Sequence, residues 1–304
     1  MPNYDYIIIG AGSAGCVIAN RLSKDPSNKV LLIEAGGSDR RFFIQMPIGY
    51  GKTYHQKAVN WMYMTEPSPH ADKKPSYWPR GKVLGGSSSI NAMVYVRGNP
   101  RDFDQWSELG NHGWSYTDVL PYFKKMESWQ NGASSYRGGN GPLKVSEVSS
   151  QLHPLCQNFL SAAQEIGIHL NDDMNGENQE GVGNYQITTY KGQRMSSSRA
   201  YLWPIRNRSN LTILKYTLAT RILFKDKKAY GVEYSKSGKL HQVSANREVI
   251  LSAGSINSPQ LLQLSGVGPK KVLEEAAVQL LHDSPAVGKN LQDHLGVSYF
   301  YKSK

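Results

Sequence analysis

Two hydrophobic periods divide the chain. Residues 4–9 are an unbroken apolar, β-rich run that ends in Gly10, and residues 29–33 are a second such run closed by Glu34. A segment with helical spacing runs from residue 16 to about residue 23, and Asp25-Pro26-Ser27-Asn28 then supplies a turn. Continuous apolar runs predict strands buried on both faces, and strand–helix–strand order predicts a parallel pair. From residue 211 the period becomes two. Residues 211–216, 221–224, 230–234 and 240–243 read as consecutive short strands of a β-meander, with Ser237-Gly238 in one turn. Residues 248–251 then form another buried strand. A helix follows over 259–264, with Ser258 as N-cap, Pro259 in its first turn and Gly266 as its stop.

The middle of the chain is less regular. Residues 36–80 are rich in Gly, Pro and aromatics, and an irregular stretch of that length in a compact domain is functional more often than it is filler. Residues 114–123 hold a short capped helix, 130–142 read as a loop, 151–168 as an amphipathic helix, and 199–203 as the start of another short helix. No internal repeat or low-complexity tract is present.

Composition narrows the class. The 304 residues suffice for two domains, and no apolar run approaches the roughly 20 residues that span a bilayer. The first strand begins almost at Met1, so we expect no cleaved leader and a cytoplasmic protein. Cys16 and Cys156 are the only cysteines, which fits a reducing compartment, and Cys16 reads as a small buried hydrophobe rather than a nucleophile. The net charge of +11 is spread over dispersed Lys and Arg with no stripe or tail. That argues against a nucleic-acid partner and leaves at most a weak attraction to an anionic redox cofactor or a peripheral one to an anionic membrane, such as the inner membrane.

Three blocks carry chemistry. In the first, Gly10, Gly12 and Gly15 make a G-x-G-x-x-G turn between strand and helix, with Ser13 and Ala14 inside it. Gly10 permits the tight turn, Gly12 lets the backbone approach a pyrophosphate, and Gly15 lets the helix pack on the strand. Glu34, 19 residues beyond Gly15, stands where a carboxylate accepts hydrogen bonds from an adenosine ribose, and Ala35 follows it. This pattern binds a dinucleotide without separating FAD from NAD, and the acid argues against a 2′-phosphate. The second block, residues 80–91, packs Gly85-Gly86, Ser87 to Ser89, Asn91 and two cations into twelve residues, a pattern suited to holding an anion by backbone N–H groups. Trp61, Tyr63, Trp78 and Arg80 lie close by in sequence, and core packing is the simpler reading for each aromatic. The third block runs over residues 254–268, preceded by Ala253.

Together the blocks resemble the glucose–methanol–choline (GMC) family of FAD-dependent alcohol oxidoreductases, in the expected order over residues 4–268. The resemblance implies an α/β fold: an FAD-binding, Rossmann-like doubly wound sheet with a β-meander, plus an incomplete α+β substrate domain. It implies a discontinuous FAD-binding domain of residues 1–150 and 191–297, with 151–190 and 298–304 belonging to a truncated substrate domain whose strand opens at 299–301. It places Val83, Gly86, Ser87, Asn91, Ala92, Met93 and Val94 along the cofactor, the Ala219 backbone at adenine, and Ala253-Gly254 against the cofactor. Ile90 stands where some members carry a flavin-linking histidine, so the FAD is expected to be non-covalent.

The resemblance further implies oxidation of a primary alcohol, aliphatic or choline-like, with hydride transfer to flavin N5. The histidine that serves as base, with its histidine or asparagine partner, lies far toward the family's C terminus. None of the eight histidines here matches that pair, and His294 corresponds to a structural residue, so no catalytic residue is expected within residues 1–304. His55, His70, His112 and His153 lack partners at metal-ligand spacing. The alcohol's identity, the choice between oxygen and a quinone of the respiratory chain as electron acceptor, and the oligomeric state stay open. So do two rivals: a non-catalytic FAD- or nucleotide-binding module, and an NAD-dependent dehydrogenase.

Overall fold

The computed structural model describes residues 2–68, 73–294 and 296–302. His70 lies outside them. The first strand, β1 (Asn3–Ile9), leads through the glycine turn into helix α1 (Ser13–Leu22) and returns as β2 (Val30–Ile33). α1 begins three residues earlier than its spacing predicts, because the fingerprint's last three residues already form its first turn. β1 and β2 pair in parallel from Tyr6↔Val30 to Ile9↔Ile33.

Four more strands complete one sheet: β3 (Leu211–Leu214), β4 (Thr217–Lys225), β5 (Lys228–Lys236) and β6 (Lys239–Leu251), in the spatial order β3-β2-β1-β6-β5-β4. The meander is therefore β4-β5-β6. β3, expected as its first strand, instead pairs in parallel with β2 at the opposite edge. A second difference lies in β6. Residues 240–243 and 248–251, expected as separate strands, are one continuous strand. Its first half pairs antiparallel with β5 (Lys236↔Lys239 to Gly231↔Ser244), and its second half runs parallel to β1 (Asn3↔Ser244 to Ile9↔Leu251). One strand thus belongs to both the meander and the parallel sheet, and it changes partner at Ser244.

Alternate residues of β1 and β2 feed two cores, as a sheet covered on both faces requires. Ile8, Val30 and Leu32 pack with Cys16 and Ala19 of α1 and with Ala200 to Leu202. Ile7, Ile9, Leu31 and Ile33 pack with Ile222, Val232, Val243 and Leu261. Cys16 is fully buried, its Sγ donates to the Ala11 carbonyl at 3.2 Å, and burial pushes its thiol pKa up, so it fills space as expected of a hydrophobe.

The remaining segments depart from expectation in detail. The capped helix spans Tyr116–Met126, with Ser115 and Asp118 forming a capping box. The amphipathic helix is shorter than predicted, Leu155–Glu165, and the helix near 199 is one π-type turn, Ser198–Leu202. The helix after β6, α2, spans Gly254–Leu264 with Ala253 at its N-cap, so Ser258 does not cap it and Pro259 lies inside. Residues 299–301 form no strand.

A buried ion cluster ties the chain between residues 95 and 190 together. Glu127 accepts from Arg97 Nη2 at 2.6 Å and from Arg137 Nη2 at 2.5 Å, and Arg137 Nη1 lies 2.6 Å from Asp173 Oδ1. Arg137 also stacks over the Trp129 ring at 4.2 Å. Gln186 Nε2 and the Asn175 backbone N–H donate to the same Asp173 oxygen.

Candidate functional site

The C-terminal ends of β1 and β6 open into a cleft of about 590 Å³, within the usual size of small-molecule sites. It lies where the parallel part of the sheet presents its strand ends, the customary ligand position in such sheets. The turn after β1 forms its floor. Gly10 has φ +93°, and a Cβ there would stand 2.5 Å from the Ser252 carbonyl oxygen, so only glycine lets β1 and the end of β6 approach so closely. A Cβ on Gly12 would meet nothing nearer than that oxygen at 3.9 Å, because Gly12 faces open cleft. Gly86, from the second block, lies against it: a Cβ on Gly86 would stand 2.7 Å from the Gly12 Cα. Gly85 N–H donates to the Ala11 carbonyl at 2.7 Å and locks the two loops together.

Two helices point their N termini into this space. Neither α1 nor α2 has a side-chain cap, and Gly12 to Ala14 and Ala253 to Ile256 all line the cleft. Uncapped first-turn N–H groups and two helix dipoles favour an anion there. At another wall Glu34 is only 6% exposed; its Oε2 accepts from Ala11 N–H at 2.9 Å and its Oε1 from Gly36 N–H at 2.8 Å. Burial pushes its pKa up to about 7, against the opposing pull of those two N–H donors. Each oxygen keeps a lone pair for a ligand hydroxyl.

Of the residues expected at the site, Gly10, Gly12, Ser13, Ala14, Glu34, Ala35, Gly86, Ser87, Ala219, Ala253 and Gly254 meet on this one cleft. Gly15 does not line it; a Cβ there would sit 1.9 Å from the Gly10 oxygen, so it serves helix packing. Val83 is fully buried with Ile44, Val59 and Ile90. Asn91, Ala92, Met93 and Val94 are not among the residues that line this cleft, though Asn91 follows directly on its Gly86–Ser89 turn; Val94 pairs with Ile187, and Met93 is buried with φ +65°.

Trp61 and Tyr63, for which core packing is the simpler sequence reading, instead form an aromatic wall of the cleft. Trp61 and Tyr63 line the cleft with rings stacked at 5.9 Å, Lys82 Nζ stands 4.6 Å over Trp61, and Tyr63 Oη donates to Asn257 Oδ1 at 2.5 Å. Asn257 lies inside the third block, half-buried, and together with Gln260 it brings a side-chain amide to the cleft. Trp61 and Tyr63 carried only their nearness to Arg80. No described histidine lines the cleft. His55 stacks on Tyr77, His241 on Tyr234, and His294 is exposed. Among the described residues no group of three His, Cys, Asp or Glu side chains is placed to hold a metal ion, and no helix is long and apolar enough to cross a membrane.

Comparison with known proteins agrees with this geometry. A family model described as GMC oxidoreductase matches residues 4–296. An oxygen-dependent choline dehydrogenase of Photobacterium profundum is 52% identical over 98% of this chain and 53% of its own length. An alcohol dehydrogenase (acceptor) of Pseudomonas putida is 49% identical over 97% of this chain and 54% of its own. Among solved structures, pyridoxine 4-oxidase from Mesorbium loti superposes with TM-score 0.92 at 34% identity, covering 96% of this chain and 57% of that one. An FAD-dependent oxidoreductase from Chaetomium thermophilum superposes with TM-score 0.89 at 34% identity, over 96% and 52%. The chain spans about half the length of the curated relatives it matches.

Proposed function

The chain belongs to the GMC oxidoreductase family, and from that premise we propose that it holds FAD for an enzyme oxidising a primary alcohol, choline-like or aliphatic. The observation that carries this reading is the convergence on one cleft of two uncapped helix N termini, the Gly12–Gly86 contact and a buried acid. The N–H groups of the first turn of α1 and the Ser13 hydroxyl take the diphosphate. Glu34 accepts from the adenosine ribose, and the Ala219 backbone lies at the adenine. Asn91 to Val94 run along the flavin. Ile90, buried in its apolar cluster, offers no atom for a covalent link, which supports a non-covalent cofactor. FAD, when bound, accepts the hydride lost from the alcohol carbon.

The base that takes the hydroxyl proton stands outside residues 1–304 in this reading, since no described histidine reaches the cleft. The FAD-binding unit is residues 1–150 with 191–297, and the enzyme works in the cytoplasm, at most peripheral to a membrane, passing electrons to oxygen or a quinone. The test is an anaerobic titration of the full-length purified protein with choline and simple primary alcohols. FAD freed by acid precipitation, and bleaching of its visible band by an alcohol, are expected. Flavin that no alcohol reduces would favour the non-catalytic module, and tight NAD binding without FAD would overturn the proposal. Residues 1–304 alone should bind FAD without alcohol-dependent reduction; turnover by them would place the base inside.

A further inference from the structure

Arg194 is the cation in this chain whose surroundings are hardest to explain by stability. It is 1% exposed. Its Nε donates to the Ile44 carbonyl at 2.9 Å, and its Nη1 donates to the Asn91 carbonyl at 2.7 Å, the Asn91 Oδ1 at 2.9 Å and the Ser88 carbonyl at 3.2 Å. Every acceptor is neutral, and Nη2 is buried with no partner. Burying a guanidinium without a carboxylate is unfavourable, and an apolar side chain would fill the same space at less cost. Burial accordingly lowers its pKa to about 10. Arg137, by contrast, is equally buried and is neutralised by Glu127 and Asp173.

What Arg194 does fix is the direction of one amide. Asn91 Oδ1 receives two hydrogen bonds, from Arg194 Nη1 and from the Met93 backbone N–H at 3.1 Å. Both groups can only donate. The amide oxygen is therefore held inward, and the two hydrogens of Nδ2 must face out. Asn91 is exposed, and its Nδ2 donates to no described residue. It sits directly after the Gly86–Ser89 turn, bound to it by Asn91 N–H to the Ser87 carbonyl at 2.9 Å, and Gly86 and Ser87 line the cleft.

We propose that Arg194 is a positioning residue, which aims the Asn91 amide hydrogens outward at an acceptor atom of the bound flavin. This rests on the functional reading above. Arg suits the place because its planar fork presents Nε to the Ile44 oxygen and Nη1 to the Asn91 oxygens in one fixed geometry, whereas an ammonium is a single point of donation on a flexible stem.

The test titrates FAD into the full-length apoprotein of each variant, followed by flavin fluorescence, with the visible band shape of the bound flavin as a second readout. N91A and R194K should each weaken binding about tenfold, the loss of one hydrogen bond, and the R194K/N91A double variant should be no weaker than either single. Both should alter the flavin band in the same way. N91D covers the case in which R194K does not fold. Its carboxylate pairs with Arg194 and keeps the fold, but it has no N–H to offer, so it should bind FAD as weakly as N91A. Wild-type affinity in N91D or R194K, or an additive loss of about a hundredfold in the double variant, would overturn the inference while leaving FAD binding intact. Failure of the unsubstituted protein to bind FAD would overturn both.

Discussion

Glu34 and Glu127 are 6% and 0% exposed, and the chain solves the burial of these two acids in opposite ways. Glu127 lies between Arg97 and Arg137 and also accepts from the Gly138 N–H at 2.8 Å, so its charge is matched by cations that reach across the chain from residue 97 to residue 137. Glu34 has only backbone N–H donors, one from the glycine turn and one from Gly36. The first arrangement is a closed structural joint. The second leaves the acid under-neutralised beside a cleft, which is the usual condition of a carboxylate kept for a ligand. Energy spent on each follows from this: the joint should fail when one partner is removed, whereas the cleft acid should respond to pH.

The largest effect expected is at the joint. Glu127→Gln leaves the buried Arg97 without a counter-charge and Arg137 with Asp173 alone, and the unfolding free energy in urea should fall by about 3–5 kcal/mol. A loss below about 1 kcal/mol would mean the cluster is wet and its charges screened. The sharpest contrast comes from Glu34 in the apoprotein. Its folded pKa, about 7, lies above the ordinary 4.5. The folded state then holds a proton that the unfolded state has released, so its contribution is complete below about pH 4.5 and is lost as pH rises through about 7. The wild type should lose about 3 kcal/mol over that window, and Glu34→Gln should flatten the profile. Identical slopes in the two proteins would show that Glu34 is ionised throughout.

Gly12→Ala separates site from scaffold. Its new methyl enters open cleft rather than the core. Thermal stability should stay within about 1 kcal/mol of wild type, while FAD affinity falls about a hundredfold, equivalent to ~2.7 kcal/mol. Unchanged affinity would remove Gly12 from the cofactor's path. The smallest effect is at Ser115, whose capping box with Asp118 touches neither acid. Ser115→Ala should cost about 1 kcal/mol by chemical denaturation with no change in FAD binding, and it calibrates what an ordinary local hydrogen bond contributes here.

The two acids also mark how far the sequence could be read. Glu34 was legible because its partners are local in the motif: strand, glycine turn, helix and acid follow one another within residues 4 to 34. Glu127, Arg97, Arg137 and Asp173 gave no signal. They are dispersed charges, and such charges are normally solvated. Period alone predicts two strands where β6 is one, because it cannot show that a strand pairs with different neighbours along its length. Alternation marks β3 as a strand but not its partner. Ser258-Pro259 is a good local start signal, yet α2 already begins at Gly254, just after β6 ends.

By itself, the sequence determined the βαβ unit, the dinucleotide turn, the acid closing β2 and the three blocks of the family, since each depends on neighbours a few residues apart. Only the tertiary structure decided which blocks share a cleft, that Trp61 and Tyr63 form its wall, that Val83 is core, and that Arg194 holds Asn91 from 103 residues away. Those outcomes depend on contacts between segments whose spacing in the chain carries no period, so only the folded chain brings them together.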